Sequence, residues 1–170
     1  MPLTNSIGDL TARVDALEAY GSTGGAMATA WAWYMLSPKW SSVWTGPNAP
    51  APYSDLTALG PSGKPKLRKV AVLMTDGDYN TYRGWKDQWP PMIQANTLAI
   101  CNNMKAAGIE VFTIGFDLNA LPPAKRDLAV ATMQACGTDI SHFYNSIDEE
   151  KLQAAFRDIG LKLAKLYLSH

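Results

Sequence analysis

Val70-Ala71-Val72-Leu73-Met74-Thr75-Asp76-Gly77-Asp78 is the stretch that decides the fold. Five apolar side chains in a row suit a strand buried on both faces, and the Thr-Asp-Gly-Asp sequence after them suits a polar turn at its end. Such a strand belongs to a parallel sheet covered by helices. Downstream, residues 91–107 place Ile93, Thr97, Ile100, Cys101 and Met104 on one helical face, with Pro91 acceptable in the first turn and Gly108 at the C-cap. Residues 109–116 (IEVFTIGF) read as a second strand. Pro122 and Pro123 open a helix that runs to about Ala135 and stops at Gly137, and residues 142–145 read as a short third strand. Asp148 caps a last helix whose Leu152, Ala155, Phe156, Ile159, Leu163 and Leu166 form one apolar stripe.

Upstream of the deciding strand, residues 9–20 place Leu10, Val14 and Leu17 at i, i+4, i+7 behind Asp9, which predicts a short amphipathic helix capped by that Asp. After the break at residues 21–25 (GSTGG), residues 26–36 (AMATAWAWYML) are apolar almost all round. That pattern predicts a helix buried on several sides and ended by Ser37-Pro38. Residues 39–66 shift to Pro, Gly, Ser, Trp and Tyr, so a long irregular loop is expected, held down by Trp40, Trp44 and Tyr53. Helix, helix, strand, helix, strand, helix, strand, helix is the alternation of an α/β fold, three-layered α/β/α around a mainly parallel, Rossmann-like sheet. One domain over residues 1–170 is expected, and its start is unusual, because such folds usually open on a central strand.

Composition excludes several functions. The 170 residues carry 15 basic and 15 acidic side chains and no run of like charge, so no electrostatic footprint for nucleic acid or an anionic membrane surface exists. No stretch approaches the roughly 18 apolar residues of a membrane span, and residues 1–10 show no basic and apolar export signal. Cys101 and Cys136 sit in no CxxC or Cys/His cluster, which argues against structural zinc and permits at most one internal disulfide.

In an open parallel sheet, ligands bind beyond the carboxyl ends of the strands. Asp76 sits there, Asp78 and Asn80 share its turn, Asp117 ends the second strand, and Ser22 and Thr23 bring hydroxyls at the mouth of a helix. Carboxylate and hydroxyl oxygens without His or thiolate suit a hard divalent cation: Mg²⁺, Mn²⁺ or Ca²⁺.

The string VLMTDGDYN, preceded by GSTGGAMATAWAWYMLSP and followed by CNNMKAAGIEVFTIGF, QACGTD and FYNSIDEEKLQAAFRDIG, resembles the later two-thirds of a von Willebrand factor A domain. More narrowly it is similar to the A domain at the C-terminal end of TadG-like proteins of the tight-adherence (Flp) pilus machinery. The likeness covers nearly the whole chain. It implies a vWA-like fold lacking its N-terminal strands, because the D-x-S-x-S motif of the family's metal-ion-dependent adhesion site is absent. Ala28 and Ala32 also stand where the family tends to have Gly. Carried over, the family's metal-binding Thr is Thr23 and its Asp is Asp76, with Ser22, Asp78 and Asp117 as outer candidates.

A site short of three ligands implies weak cation binding by this chain alone. The missing strand also implies that residues 70–74 form an exposed edge open to self-association. The family's two Cys positions match Cys101 and Cys136, and a disulfide in an extracytoplasmic compartment and two buried inert thiols both remain open.

The expected function is therefore a non-enzymatic adhesion or binding module. It would be part of a membrane-anchored parent in the cell envelope, would meet a protein partner or pilus component, and would have a degenerate or split metal site. Two alternatives stand beside it: a metal-dependent hydrolase of doubly wound type, and a truncated remnant that needs an upstream segment. Each candidate also has a bland alternative, a turn carboxylate for Asp76, a helix N-cap for Thr23, solvated turns for Asp78 and Asp117, and a structural role for His142. The Trp residues read as core and loop anchors before they read as a contact patch.

Overall fold

The computed structural model describes residues 4–18, 23–76, 79, 81–82, 85–86 and 90–168. Helix α1 (Ile7–Asp15) is followed by α2 (Gly25–Leu36), then by three single-turn 3-10 segments at Pro38–Trp40, Gly46–Asn48 and Tyr53–Leu56. Strand β1 (Lys69–Thr75) leads to a two-residue ribbon of β2 (Thr81–Tyr82) and β3 (Trp85–Lys86). Then come α3 (Pro90–Ala106), β4 (Ile109–Phe116), α4 (Pro123–Cys136), β5 (Phe143–Ser146) and α5 (Glu149–Leu168). The fold is α/β: β1, β4 and β5 form a parallel three-stranded sheet in the order β1-β4-β5, flanked by helices.

Side-chain alternation along β4 sorts the core into two faces. Val111 joins Ala71, Cys101, Met104 and Cys136 under α2, α3 and α4, with Trp33, Leu36 and Leu73 packed alongside. Phe112 and Ile114 point the other way and pack with Ala155 and Ile159 of α5, helped by Val70, Leu152 and Leu163. A period of two on a central strand puts successive residues on opposite faces, and β4 is buried on both because each face has its helix layer. Buried threonines on helices cost little here. The hydroxyls of Thr29, Thr97 and Thr132 each bond the carbonyl four residues back, on Gly25, Ile93 and Leu128.

Several expectations are corrected. The first helix is capped by Ser6, whose Oγ accepts from the Asp9 amide at 3.3 Å, so it starts before Asp9 and its helical span ends at Asp15. It buries none of its residues, leaving Ile7 and Val14 exposed, as is Leu17 beyond its end. Helix α2 is not covered on several sides. Gly25 and Thr29 are buried and Trp33 packs on the core, but Met27 and Trp31 are exposed, because a helix lying on one face of a sheet has an outer side. Trp31 finds its company there, edge-on to Tyr34 and tilted against Trp40, while Tyr34 and Trp40 stack with centroids 4.3 Å apart.

Strand β1 is covered on one face only. Lys69, Ala71 and Thr75 are buried, whereas Val72 and Met74 are 39% and 49% exposed; α5 lies over β4 and β5, and Val70 packs against the cluster they form with it. Among the described residues β1 pairs with β4 alone. It begins at Lys69, where the sequence offered no apolar residue. The Lys69 ammonium donates to the Leu36 carbonyl at 2.7 Å and sits 5.4 Å from the Tyr53 ring centroid. Burial pushes its pKa below the ordinary lysine value, with the Asp55 carboxylate acting in the opposite sense.

The long loop is anchored by Tyr53, whose hydroxyl accepts from Trp33 Nε1 at 3.0 Å, and by the Trp40 stack. His142 does not start the third strand. It closes a 3-10 turn, Ile140–His142, whose N-cap Asp139 accepts from the Ser141 amide and hydroxyl, both at 2.7 Å.

Candidate functional site

The carboxyl edge of the sheet is assembled by three strand ends. Parallel register sets Thr75 of β1 opposite Gly115 of β4, and Phe116 of β4 opposite Ser146 of β5. Asp76 leaves β1 exposed to solvent. Asp117 leaves β4 in a left-handed conformation, φ 49°, and its amide donates to the Ser146 carbonyl at 2.7 Å, so it too is exposed at the same edge. Asp is among the few non-glycine residues that accept this conformation.

Thr23 reaches the edge from a different part of the chain. An isolated parallel bridge joins it to Tyr79, three residues beyond Asp76. The N-cap of α2 is Gly24, with no side chain capping the helix, so Thr23 is not the cap. The Thr23 side chain is half-buried. The structure thus places Asp76 and Asp117 after neighbouring strands at one edge, and sets Thr23 against Tyr79, three residues beyond Asp76. Ser22 and Asp78, the other candidates, lie outside the described residues, as do Gly77 and Asn80.

As donors, one hydroxyl and two exposed carboxylates are hard oxygen ligands of the kind Mg²⁺, Mn²⁺ and Ca²⁺ prefer. Each binding through one oxygen, they would fill half of about six coordination positions, leaving the rest to water or to a partner's oxygens. Among the described residues no group of three or more His, Cys, Asp or Glu is arranged to hold a metal ion.

Sequence reading missed Tyr79. Its sequence neighbours are polar, yet it is 8% exposed and packs with Ile93 and Met133, with Ala26 and Phe143 alongside. Its hydroxyl donates to Met133 Sδ at 3.4 Å, and burial pushes the phenol pKa up to about 12. The one available signal was an aromatic side chain among Asp, Gly and Asn.

The structure also holds a chain of charge that sequence spacing did not reveal. Arg68 pairs with Glu110 Oε2, Glu110 Oε1 lies 3.0 Å from His142 Nε2, and His142 Nδ1 lies 2.8 Å from Asp139 Oδ1. The His142 ring also tilts onto Phe112 with centroids 4.5 Å apart. These contacts tie β1, β4 and the turn before β5 together at the amino end of the sheet. A cavity of about 260 Å³ opens at that same end, lined by Leu56, Lys64, Pro65, Arg68, Lys69 and Glu110. Opposite ends of the strands thus carry the charge chain and the oxygen-rich edge.

Cys101 of α3 and Cys136 at the end of α4 are joined in a disulfide with Cα atoms 5.2 Å apart, and both are buried. Lys105 reinforces the junction by donating to the carbonyls of Ala135 and Gly137, at 2.7 and 3.2 Å.

No family model, curated protein or solved structure matches the chain. The likeness to A domains therefore rests on the motifs quoted above.

Proposed function

We propose that this chain is a binding and adhesion module rather than an enzyme, the A-domain-like part of a TadG-like protein of Flp pilus assembly or surface attachment. It meets a protein partner or pilus component at the carboxyl edge of its sheet. Thr23 and Asp76 are the remaining ligands of a degenerate or split cation site, with Asp117 beside them. The cation, Mg²⁺, Mn²⁺ or Ca²⁺, supplies a charged bridge that a partner carboxylate completes.

The observation that carries this reading is the Thr23–Tyr79 bridge, which sets Thr23 against the segment that follows Asp76, although 52 residues separate Thr23 from Asp76 along the chain. An extracytoplasmic, oxidising compartment is supported by the buried disulfide. Self-association through residues 70–74 is supported by the exposure of Val72 and Met74 on a strand paired along one side among the described residues. The test is Asp76→Ala in the protein that carries this domain. Cation-dependent attachment to its partner or surface should be lost with the circular dichroism spectrum unchanged, and undiminished attachment would refute the adhesion-site reading.

A further inference from the structure

Tyr79 is placed more deeply than its polar sequence neighbours would suggest. Asp76, three residues before it, is exposed. The Tyr79 ring nevertheless runs inward to α3 and α4, meeting Ile93 and Met133, and its hydroxyl is satisfied by Met133 Sδ. The same ring lies directly against the first residue of α2. A Cβ built on Gly25 would overlap ring carbons of Tyr79. Gly25 is absent from the residues with positive φ, so what this position requires of glycine is space rather than backbone freedom. On the backbone side, the Thr23–Tyr79 bridge holds the residues just before α2 to the same segment. Segment and helix mouth are therefore clamped twice, by a backbone bridge and by a ring seated over a glycine.

We propose that Tyr79 is the positioning residue of the carboxyl edge, its ring on Gly25 holding the Thr23 hydroxyl in register with the Asp76 carboxylate so that the pair is preformed before a cation or partner arrives. The proposal rests on the cation reading of the edge only for its ligand. The clamp itself follows from packing. Two ligands alone bind a divalent cation weakly, and each degree of freedom they keep lowers the affinity further, so a rigid pair binds better than the same donors on independent loops.

The experiment compares Gly25→Ala, Tyr79→Leu and Tyr79→Phe with the unsubstituted chain. Two readouts are used: amide hydrogen exchange at the Thr23–Tyr79 bridge, and Mn²⁺ affinity from the electron paramagnetic resonance of free Mn²⁺. Gly25→Ala evicts the ring and should speed exchange at the bridge by on the order of 10-fold or more. It should also weaken Mn²⁺ by about 10- to 100-fold, the size expected when support for a ligand is lost. Tyr79→Leu should do the same without adding bulk, which keeps the test open should Gly25→Ala fail to fold. Tyr79→Phe keeps the ring and loses only a weak hydrogen bond to sulfur, so it should restore both readouts to within about twofold.

Wild-type exchange and affinity in Gly25→Ala and Tyr79→Leu would overturn the proposal, as would Tyr79→Phe behaving like Tyr79→Leu. Asp76→Ala separates the two ideas. It should abolish Mn²⁺ binding while leaving exchange at the bridge unchanged. If the unsubstituted chain leaves the free-Mn²⁺ signal undiminished, the cation reading fails and the positioning role falls with it, whereas the exchange data still decide whether the clamp exists.

Discussion

Reduction of the Cys101–Cys136 bridge is expected to lower the unfolding free energy by about 4 kcal/mol. The bridge closes a loop with a sequence separation of 35. For a loop of that length, opening the bridge returns about 13 cal/mol/K of chain entropy to the unfolded state, close to 4 kcal/mol at 25 °C. The folded side should change little. Both sulfurs are buried among Ala71, Met104, Ile109 and Val111. The α3–α4 junction also keeps its other ties, the Lys105 ammonium on the Ala135 and Gly137 carbonyls and the Val111 amide on Thr138 Oγ1 at 2.8 Å.

The assay is urea unfolding followed by tryptophan fluorescence, on protein refolded with and without dithiothreitol. Comparing the two redox forms leaves packing nearly unchanged, whereas the Cys101→Ala, Cys136→Ala pair would add a cavity cost of its own. With a slope of about 2 kcal/mol/M, the reduced form should unfold roughly 2 M earlier. Coincident midpoints would refute the entropic argument. Rapid reduction of the native protein without denaturant would refute the burial on which it depends.

Two further outcomes follow from the packing and the charge chain. Asp139 accepts from the Ser141 hydroxyl and amide and contacts His142, and those bonds hold its carboxyl at about 2, below the ordinary 3.8. A depressed folded-state value means stability present above the unfolded value and lost as pH falls toward the folded one. Thermal melts should therefore show an acid limb between about pH 4 and pH 2 that is shallower in Asp139→Asn, and an unchanged limb would sink the assignment. Phe112→Ala removes a fully buried ring wedged between β4 and α5, beside the His142 imidazole. Its urea midpoint should report a loss of about 3–5 kcal/mol, and a loss below about 1 would mean that the α5 face is not tightly packed.

Local signals along the chain carried much of the architecture. Strand β4 has the bounds its apolar run implies, because Gly108 at φ 80° and Asp117 at φ 49° interrupt the extended backbone at either end. Helix α5 begins behind Asp148, whose carboxylate accepts from the Lys151 amide at 2.8 Å, as a capping residue should. Helix α1 is instructive in the opposite sense. Ser6 and Asp9 are both good caps, and which one closes the helix is a matter of a single hydrogen bond that composition does not rank.

What the sequence determined by itself was therefore everything governed by neighbours in the chain: the period of each element, most of its ends, and the α/β alternation that makes the sheet parallel. Apposition belongs to the tertiary structure alone. The disulfide and a pair of inert thiols were equally compatible with the spacing of Cys101 and Cys136 until α3 and α4 brought their Cα atoms within 5.2 Å. Strand β1 read as buried on both faces, yet burial depends on what lies opposite, and α5 lies over β4 and β5. At the candidate site Asp76 and Asp117 were legible as strand-end carboxylates. The ring of Tyr79 over Gly25, the contact that joins the start of α2 to a segment distant in sequence, was not, because periodicity records only what is near in sequence and packing joins what is near in space.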